Sequence, residues 1–202
     1  MTTLYLRPGA CSLATHIILE EIGADYDTVE VDLASKRTAS GDDYLAVNPK
    51  GQVPSLVLED GQLLTEGPAI LQYLADTSGR TDLLPPAGDM ARYRVLEWLN
   101  FIATELHKSI SPLMRPDTPA DYREVALTHV RKRFLEIDSH LQDRTSLTES
   151  DFTIADAYLL VIASWMGRLG IDAVSYPSLS AFRERHGVRR SVIAARSAEG
   201  LP

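Results

Sequence analysis

The sequence contains little of several features that mark particular classes of protein. A single cysteine, Cys11, excludes an intrachain disulfide. The N-terminus has neither the basic start nor the apolar core of a signal peptide. The longest uncharged stretches, 8–19 and 157–167, are shorter than the ~18 apolar residues that a membrane span requires. These absences predict a cytoplasmic protein that does not cross a membrane.

Basic residues are also few. The chain has 20 Lys and Arg against 28 Asp and Glu, which gives a formal net charge of -8. Residues 1–80 hold five of the basic and twelve of the acidic side chains, so most of the imbalance lies in the first part of the chain. An acidic surface argues against nucleic acid or an anionic membrane as the main partner.

The overall composition is that of an ordinary folded protein. Hydrophobic residues make up 45% of the 202 positions and charged residues 24%, which excludes disordered, collagen-like and coiled-coil classes. The length suits one large domain or two small ones.

The first 78 residues alternate between strand and helix patterns, in the order βαβ, then an irregular helical stretch, then ββα. Asp60-Gly61 between two short apolar runs predicts an antiparallel hairpin. Pro68 suits the first turn of a helix. The predicted strands are 3–6, 27–33, 54–58 and 62–65, and the predicted helices are 13–22 and 68–76.

Beyond residue 78 the pattern changes. Residues 79–89 are rich in turn formers and predict a linker. Thr153 and Asp156 fit a capping box that begins a helix, and the apolar run 158–166 predicts a buried central helix. Helical periodicity is found at 90–110, 121–141, 153–169, 179–185 and 192–198. We therefore predict an α/β domain over 1–78, a linker over 79–89 and an all-helical domain over 90–202.

A few polar positions are candidates for chemistry. Cys11 lies at the first turn of a helix, where free N–H groups favour a thiolate, although a lone cysteine also serves as a small buried apolar residue. Glu66-Gly67 at another helix start could pair with an ammonium and a carboxylate group, or simply place a negative charge at a helix N-terminus. Asn100, Thr104 and His107 form a polar stripe, which in most helices is only solvated. The five histidines show no metal-ligand spacing, so no metal site is predicted.

Several segments together resemble the bacterial beta class of glutathione S-transferases. They follow the same order over nearly the whole chain, and they are PGACSLATHI at 8–17, VDLASKR at 31–37, GDDYLAVNPKGQVP at 41–54, LLTEGPAILQYLAD at 63–76, EWLNFIATELHK at 97–108, FTIADAY at 152–158 and SAEGL at 197–201.

The resemblance implies a thioredoxin-like N-terminal domain followed by an all-helical domain, in a homodimer with active sites near the interface. It implies glutathione as co-substrate, a small electrophile as second substrate, and no tightly bound cofactor. Cys11 and His107 are the implied catalytic residues, and Pro54 is the implied cis-proline of the fold. The implied glutathione contacts are Cys11, Lys36, Val53, Pro54, Glu66, Gly67, Asn100, Thr104, Glu105 and His107.

The resemblance also indicates which part of glutathione each of these residues contacts. Val53 backbone groups are expected to pair with the cysteinyl unit, and Lys36 with the glycine carboxylate. Glu66 and the Gly67 N–H are expected to bind the γ-glutamyl ammonium and carboxylate groups. Relatives usually have a tyrosine where Leu6 stands, and Tyr5 lies one residue earlier. Because one step along a strand reverses the face, no catalytic role is expected for Tyr5.

Two mechanisms and one alternative function are compatible with the sequence. Cys11 is either the nucleophile of a thiol–disulfide exchange or, together with His107, a group that orients and polarises the glutathione thiol. The first mechanism adds a glutathione-dependent disulfide reductase activity. The alternative is a non-catalytic protein that binds glutathione or hydrophobic compounds. The sequence does not identify the electrophile.

Overall fold

The computed structural model describes all 202 residues and divides into two compact units. The N-terminal unit comprises Met1–Thr81 and Arg189–Pro202, and the helical unit comprises Asp82–Val188. The predicted fold class, a thioredoxin-like α/β domain followed by an all-helical one, is confirmed. The sequence-based division placed all of 90–202 in the helical domain, whereas residues 189–202 group with the N-terminal unit. The reason is that the last helix packs against the first.

A five-stranded mixed sheet forms the centre of the N-terminal unit. Its strands are β1 (Thr2–Leu6), β2 (Tyr26–Asp32), β3 (Arg37–Thr38), β4 (Ser55–Val57) and β5 (Leu63–Thr65), in the order β3-β2-β1-β4-β5. β1 pairs parallel with β2 and antiparallel with β4. β4 and β5 form the predicted antiparallel hairpin, in which Leu56 lies opposite Leu64.

The stretch between β2 and β4 contains one strand that the pattern did not predict. β3 is only two residues long and pairs antiparallel with the end of β2, with Val31 opposite Thr38. A short 3-10 helix follows at Tyr44–Ala46. A two-residue edge strand has no alternation of apolar and polar residues, and its position follows from the turns on either side of it.

Three helices of the N-terminal unit are α1 (Ser12–Ile22), α2 (Gly67–Thr77) and α8 (Arg190–Ala198), and α1 packs against both of the others. Leu13, Ile17 and Ile18 of α1 are fully or almost fully buried. α1 ends at Gly23, which takes a left-handed conformation with φ of 63° that a glycine adopts without steric cost.

The C-terminal segment is fixed to α1 by polar contacts. The carboxylate of Glu199 accepts a hydrogen bond from the Gly9 N–H at 2.8 Å and contacts His16 Nδ1 at 2.9 Å. Both His16 and Glu199 are almost completely buried. At the other end of α8, Arg189 donates to Glu21 at 2.8 Å. The end of the chain therefore holds both the loop before Cys11 and the helix after it.

The helical unit consists of helices joined by loops and 3-10 turns. They are α3 (Met90–Phe101), a π-helical segment (Ile102–His107), α4 (Lys108–Ile110), α5 (Ala120–His140), α6 (Ile154–Ser164) and α7 (Pro177–Gly187), with 3-10 turns at Ser111–Met114, Met166–Leu169 and Ala173–Ser175. The sequence predicts one continuous helix over 90–110, whereas the structure interrupts it with the π-helical segment. No helix of the protein combines the length and hydropathy needed to span a bilayer.

α6 is the buried centre of the helical unit, as predicted. Every residue from Ile154 to Ala163 is buried. The predicted capping box is present at its start, where the Asp156 carboxylate accepts the Thr153 N–H at 2.8 Å and the Thr153 hydroxyl at 2.6 Å. Asp156 also accepts the Leu147 N–H at 2.8 Å, so one side chain satisfies donors of the N-cap residue and of the segment that leads to it.

We expect this cap to stabilise the fold measurably. Thr153→Ala should lower the free energy of unfolding by about 1 kcal/mol or more. Asp156→Ala should cost about 2 kcal/mol or more, because it leaves two buried backbone N–H groups without acceptors. Urea denaturation measures both values. Thr128→Ala on the exposed face of α5 is the control and should be nearly neutral. Wild-type stability in both cap variants would contradict a structural role for this pair.

Candidate functional site

Cys11 lies in the loop between β1 and α1, directly before the first residue of α1. It is half-buried, and its Sγ–H donates to the Val53 carbonyl oxygen at 3.2 Å. The Ser12 hydroxyl is within hydrogen-bond distance of both backbone groups of Arg7, at 3.2 Å from N and 3.3 Å from O, and thus braces the same loop. The fold therefore brings together Cys11 and Val53, two of the predicted site residues.

The environment of Cys11 works against the thiolate that its helix-start position predicted. Loss of solvent raises the pKa of the Cys11 thiol to about 11, and the nearby Glu66 carboxylate acts in the same direction. Hydrogen bonds from the Cys11 and Ser12 backbone N–H groups lower it, by less. The expectation of a lowered pKa is thus wrong for the ligand-free protein. Desolvation outweighs the backbone donors because an ionised sulfur loses its water shell there.

Val53 and Pro54 directly precede β4. The Val53–Pro54 peptide bond is cis, as the resemblance implied. Pro54 lies close to Gly67, the first residue of α2. A side-chain Cβ at position 67 would lie 3.7 Å from the Pro54 ring. Val53 is buried in a small apolar cluster with Val31 and Tyr44. This packing fixes the backbone that Cys11 contacts.

Two predicted site residues hold an unusual backbone conformation. Lys36 and Glu66 have φ values of 59° and 68°, and no other residue besides glycine has a positive φ. Such conformations cost free energy and persist only where the surrounding structure enforces them. Lys36 Nζ donates to the Gly51 carbonyl at 2.8 Å, which ties its side chain to the loop before the cis peptide.

Glu66 has a partner that the sequence analysis did not select. Lys50 Nζ lies 2.9 Å from Glu66 Oε1 and also donates to the Thr65 hydroxyl at 3.1 Å. Both charged side chains are more than half exposed, so the pair is accessible to a ligand and worth little as a stabilising salt bridge. Lys50 is one of only five basic residues in the first 80, and that scarcity is the signal that could have identified it.

The remaining predicted residues lie in the helical unit, at and after the end of α3. Asn100 donates to the Leu96 carbonyl at 2.9 Å, and the Thr104 hydroxyl donates to the Asn100 carbonyl at 3.0 Å. Both are exposed and bond only to the backbone one turn earlier. Glu105 is held by α5, where Arg133 Nε lies 2.8 Å away and His129 Nε2 3.5 Å away.

His107 is the last residue of the π-helical segment and has well-defined neighbours. Its Nδ1 lies 2.5 Å from the Tyr158 hydroxyl oxygen, and Tyr158 is a buried residue of α6. The His107 ring packs against the rings of Tyr158 and Trp165, with centroids 5.8 Å and 5.4 Å away. Neither aromatic residue was selected from the sequence, because both fall within an apolar run that reads as core.

Tyr5 packs against the apolar cluster that contains Val53. Its ring lies 5.5 Å from that of Tyr44, at the edge of the cluster that contains Val53. Tyr44 in turn donates its hydroxyl to the Gln52 carbonyl at 2.6 Å. Together the two tyrosines support the segment that leads to the cis peptide.

Comparison with known proteins identifies the family. The model of the glutathione S-transferase N-terminal domain matches residues 9–77, and that of the glutathione S-transferase C-terminal domain matches residues 101–186. The chain is 48% identical to glutathione S-transferase GstA of Escherichia coli O157:H7 over 98% of both chains. The chain belongs to the glutathione S-transferase family. The similar proteins are named as transferases, so the comparison does not favour the alternative of a non-catalytic binding protein.

Solved structures of bacterial glutathione S-transferases superpose closely on the protein. A beta-class enzyme from Sphingomonas chungbukensis has a TM-score of 0.95 at 44% identity and covers 99% of this chain and 100% of its own. A sphingomonad glutathione S-transferase in complex with glutathione has a TM-score of 0.94 at 43% identity, with the same coverage. The transferase described here is thus similar to the beta class in sequence and fold.

The raised pKa of Cys11 leads to a direct prediction for the ligand-free transferase. Because the native thiol stays protonated until the pH approaches 11, its alkylation by iodoacetamide should still accelerate with pH between 8 and 9.5. The same chain in urea serves as control, and its rate should begin to level off near the ordinary cysteine pKa of about 8.5. Since Cys11 is the only cysteine, mass spectrometry of the whole protein measures the fraction of Cys11 that has been alkylated. A native rate that is constant above pH 7 would contradict this environment.

Proposed function

We propose that this glutathione S-transferase binds glutathione and directs its thiol to an electrophilic small molecule or to a mixed disulfide. The observation that carries the proposal is the hydrogen bond of Cys11 to the carbonyl of Val53, the residue before the cis-proline. A cysteinyl unit paired with the Val53 backbone would bring its sulfur close to Cys11.

The charged residues of the N-terminal unit suit the two ends of the tripeptide. Glu66 supplies a carboxylate for the γ-glutamyl ammonium, and Gly67 begins α2, where N–H groups without helical partners can donate hydrogen bonds to a carboxylate. Lys36, fixed to the Gly51 carbonyl, is proposed to pair with the glycine carboxylate. The Lys50 ammonium pairs with the Glu66 carboxylate in the structure, and the ammonium group of a ligand would displace it.

From the helical unit we propose Asn100, Thr104, Glu105 and His107 as further ligand contacts, with Cys11 and His107 as the catalytic residues. The His107 ring packs against the aromatic rings of Tyr158 and Trp165, which hold it in a constant direction. A donor fixed in advance stabilises a thiolate without reorganisation during the reaction.

We further propose a homodimer in the cytoplasm. Large apolar side chains are exposed on α3 and α5 of the helical unit. A cavity of about 560 Å³, lined by Trp98, Phe101 and His140, lies between α3 and the segment that follows α5. Burial of such a surface favours association. A reducing compartment suits a protein whose only cysteine must remain a thiol. Sedimentation should give twice the chain mass of 22.3 kDa.

Glutathione should stabilise the protein. At a ligand concentration of ~100 times Kd, the gain is about 2.7 kcal/mol and raises the melting temperature. Glu66→Gln should reduce this shift strongly, because it removes the charge that faces the ligand ammonium. Glu30→Gln, at an exposed position on β2, should retain it. No shift in the parent protein, or an equal shift in both variants, would contradict the proposed binding site.

Cys11→Ser separates the two mechanisms. In the exchange reaction, a Cys11 thiolate attacks a mixed disulfide and expels a thiolate, and a glutathione thiolate then attacks the Cys11–glutathione disulfide and releases glutathione disulfide. The variant should therefore lose disulfide reduction, while conjugation of a reactive aryl halide persists at a reduced or similar rate. Both activities are measured on one preparation, with mass spectrometry for the mixed disulfide in the parent enzyme.

Each result of this experiment has a definite meaning. Disulfide reduction that survives in Cys11→Ser would exclude Cys11 as nucleophile. Conjugation that disappears while glutathione still binds would show that both reactions require Cys11. The raised pKa of the ligand-free thiol favours conjugation through the glutathione sulfur itself, since a protonated Cys11 donates a hydrogen bond but does not attack.

A further inference from the structure

The ammonium group of Lys50 lies directly at the carboxylate that is proposed to bind a ligand. Its Nζ is 2.9 Å from Glu66 Oε1 and 3.1 Å from the Thr65 hydroxyl oxygen. The Lys50 side chain is 58% exposed and that of Glu66 is 69% exposed. Because an exposed ion pair contributes little stability, a charged ligand can separate the two groups at small cost.

The backbone that carries Lys50 is fixed by a buried asparagine. Asn48 is 2% exposed, and its side-chain oxygen accepts the Lys50 N–H at 3.0 Å. The amide nitrogen of the same side chain donates to the Gln52 carbonyl and to the Ser55 hydroxyl, both at 2.9 Å. The backbone of Lys50 is thus held in a constant place, while its long, flexible side chain can redirect the ammonium group.

The charges of this region match those of glutathione in number and sign. The tripeptide carries two carboxylates and one ammonium group at neutral pH. The N-terminal unit places two lysines, Lys36 and Lys50, at one turn, because Lys36 Nζ donates to the carbonyl of Gly51, the residue that follows Lys50. Glu66 adds one carboxylate. Residues 1–80 hold five basic and twelve acidic side chains, so two lysines at one turn are a local exception to an acidic composition.

The chemistry of a γ-glutamyl group gives the displaced lysine a new partner. Its ammonium and its α-carboxylate are attached to the same carbon and therefore arrive together. When the ligand ammonium binds Glu66, the ligand carboxylate comes within reach of the Lys50 ammonium, which starts 2.9 Å from the same Glu66 oxygen. An ammonium and a carboxylate form a charge-assisted hydrogen bond, which is stronger than one between neutral groups.

We propose that Lys50 is a ligand-binding residue that moves from the Glu66 carboxylate to the α-carboxylate of the γ-glutamyl group, so that the site selects ligands with a free α-amino acid head group. This inference rests on the proposed function for the identity of the ligand. The exchange keeps every charge paired, Glu66 with the ligand ammonium and Lys50 with the ligand carboxylate. A ligand without the carboxylate displaces Lys50 and gives it no new partner.

The test compares two ligands by isothermal titration calorimetry. One is glutathione, and the other is its analogue with a 4-aminobutanoyl group in place of γ-glutamyl, which keeps the ammonium and lacks only the α-carboxylate. In the parent protein the analogue should bind more weakly. In Lys50→Met this penalty should be about fivefold smaller, the factor expected for one exposed ion pair. The ratio of the two Kd values cancels the effect of Lys50 on Glu66 in the free protein, which is the same for both ligands.

Two further variants serve as controls. Lys50→Arg should retain the parental penalty, because a guanidinium also pairs with a carboxylate. Lys132→Met, at an exposed position on α5, changes the net charge by the same amount as Lys50→Met and should leave both Kd values unchanged.

The outcomes separate this inference from the proposed function. A penalty that is the same in the parent and in Lys50→Met overturns the inference. Tighter binding of both ligands to Lys50→Met by one common factor also overturns it, since it shows that Lys50 only competes for Glu66. A parent that binds neither ligand contradicts the proposed function, and the inference falls with it.

Discussion

The position of the loop that contains Cys11 depends on the hydrogen bonds of one buried carboxylate, that of Glu199. One of its oxygens accepts the Gly9 N–H and the other contacts His16, so Glu199, three residues before Pro202, satisfies polar groups on both sides of Cys11. A buried carboxylate without such partners would be very unfavourable, and this requirement selects one position for the end of the chain. The chain therefore returns to its own N-terminal unit after the helical unit is complete.

A loop held in this way has consequences for the thiol. The Cys11 side chain is half-buried, and its Sγ–H donates to the Val53 carbonyl. Removal of water favours the neutral form, and the nearby Glu66 charge favours it further. The Glu66 carboxylate therefore adds to the effect of desolvation and is not its main cause.

Irregular backbone recurs at positions that the sequence predicts for the site. Lys36 and Glu66 adopt positive φ, the peptide bond before Pro54 is cis, and His107 ends a π-helical segment. Regular helices and strands direct side chains at fixed intervals, and these departures redirect individual groups. Each is supported by ordinary structure nearby: the Val53 cluster packs beside the cis bond, and the aromatic rings of Tyr158 and Trp165 enclose His107.

The sequence by itself determined the features that rest on local pattern. Apolar alternation and Asp60-Gly61 predicted the β4–β5 hairpin, helical period predicted α1, α2, α5 and α6, and the Thr153–Asp156 pair predicted the cap. The family segments also named the candidate site residues, whose roles stay predictions until they are tested.

Only the tertiary structure decided the remainder, because it depends on neighbours distant in the chain. β3 and the unit to which α8 belongs follow from packing, and neither has a local signal. Tyr158 and Trp165 have the pattern of core residues in the sequence, because a buried aromatic residue looks the same whether or not it contacts a predicted site residue such as His107. The pKa of Cys11 reversed its predicted direction for the same reason: a helix start is visible in the sequence, whereas the loss of water around a sulfur exists only once the chain has folded.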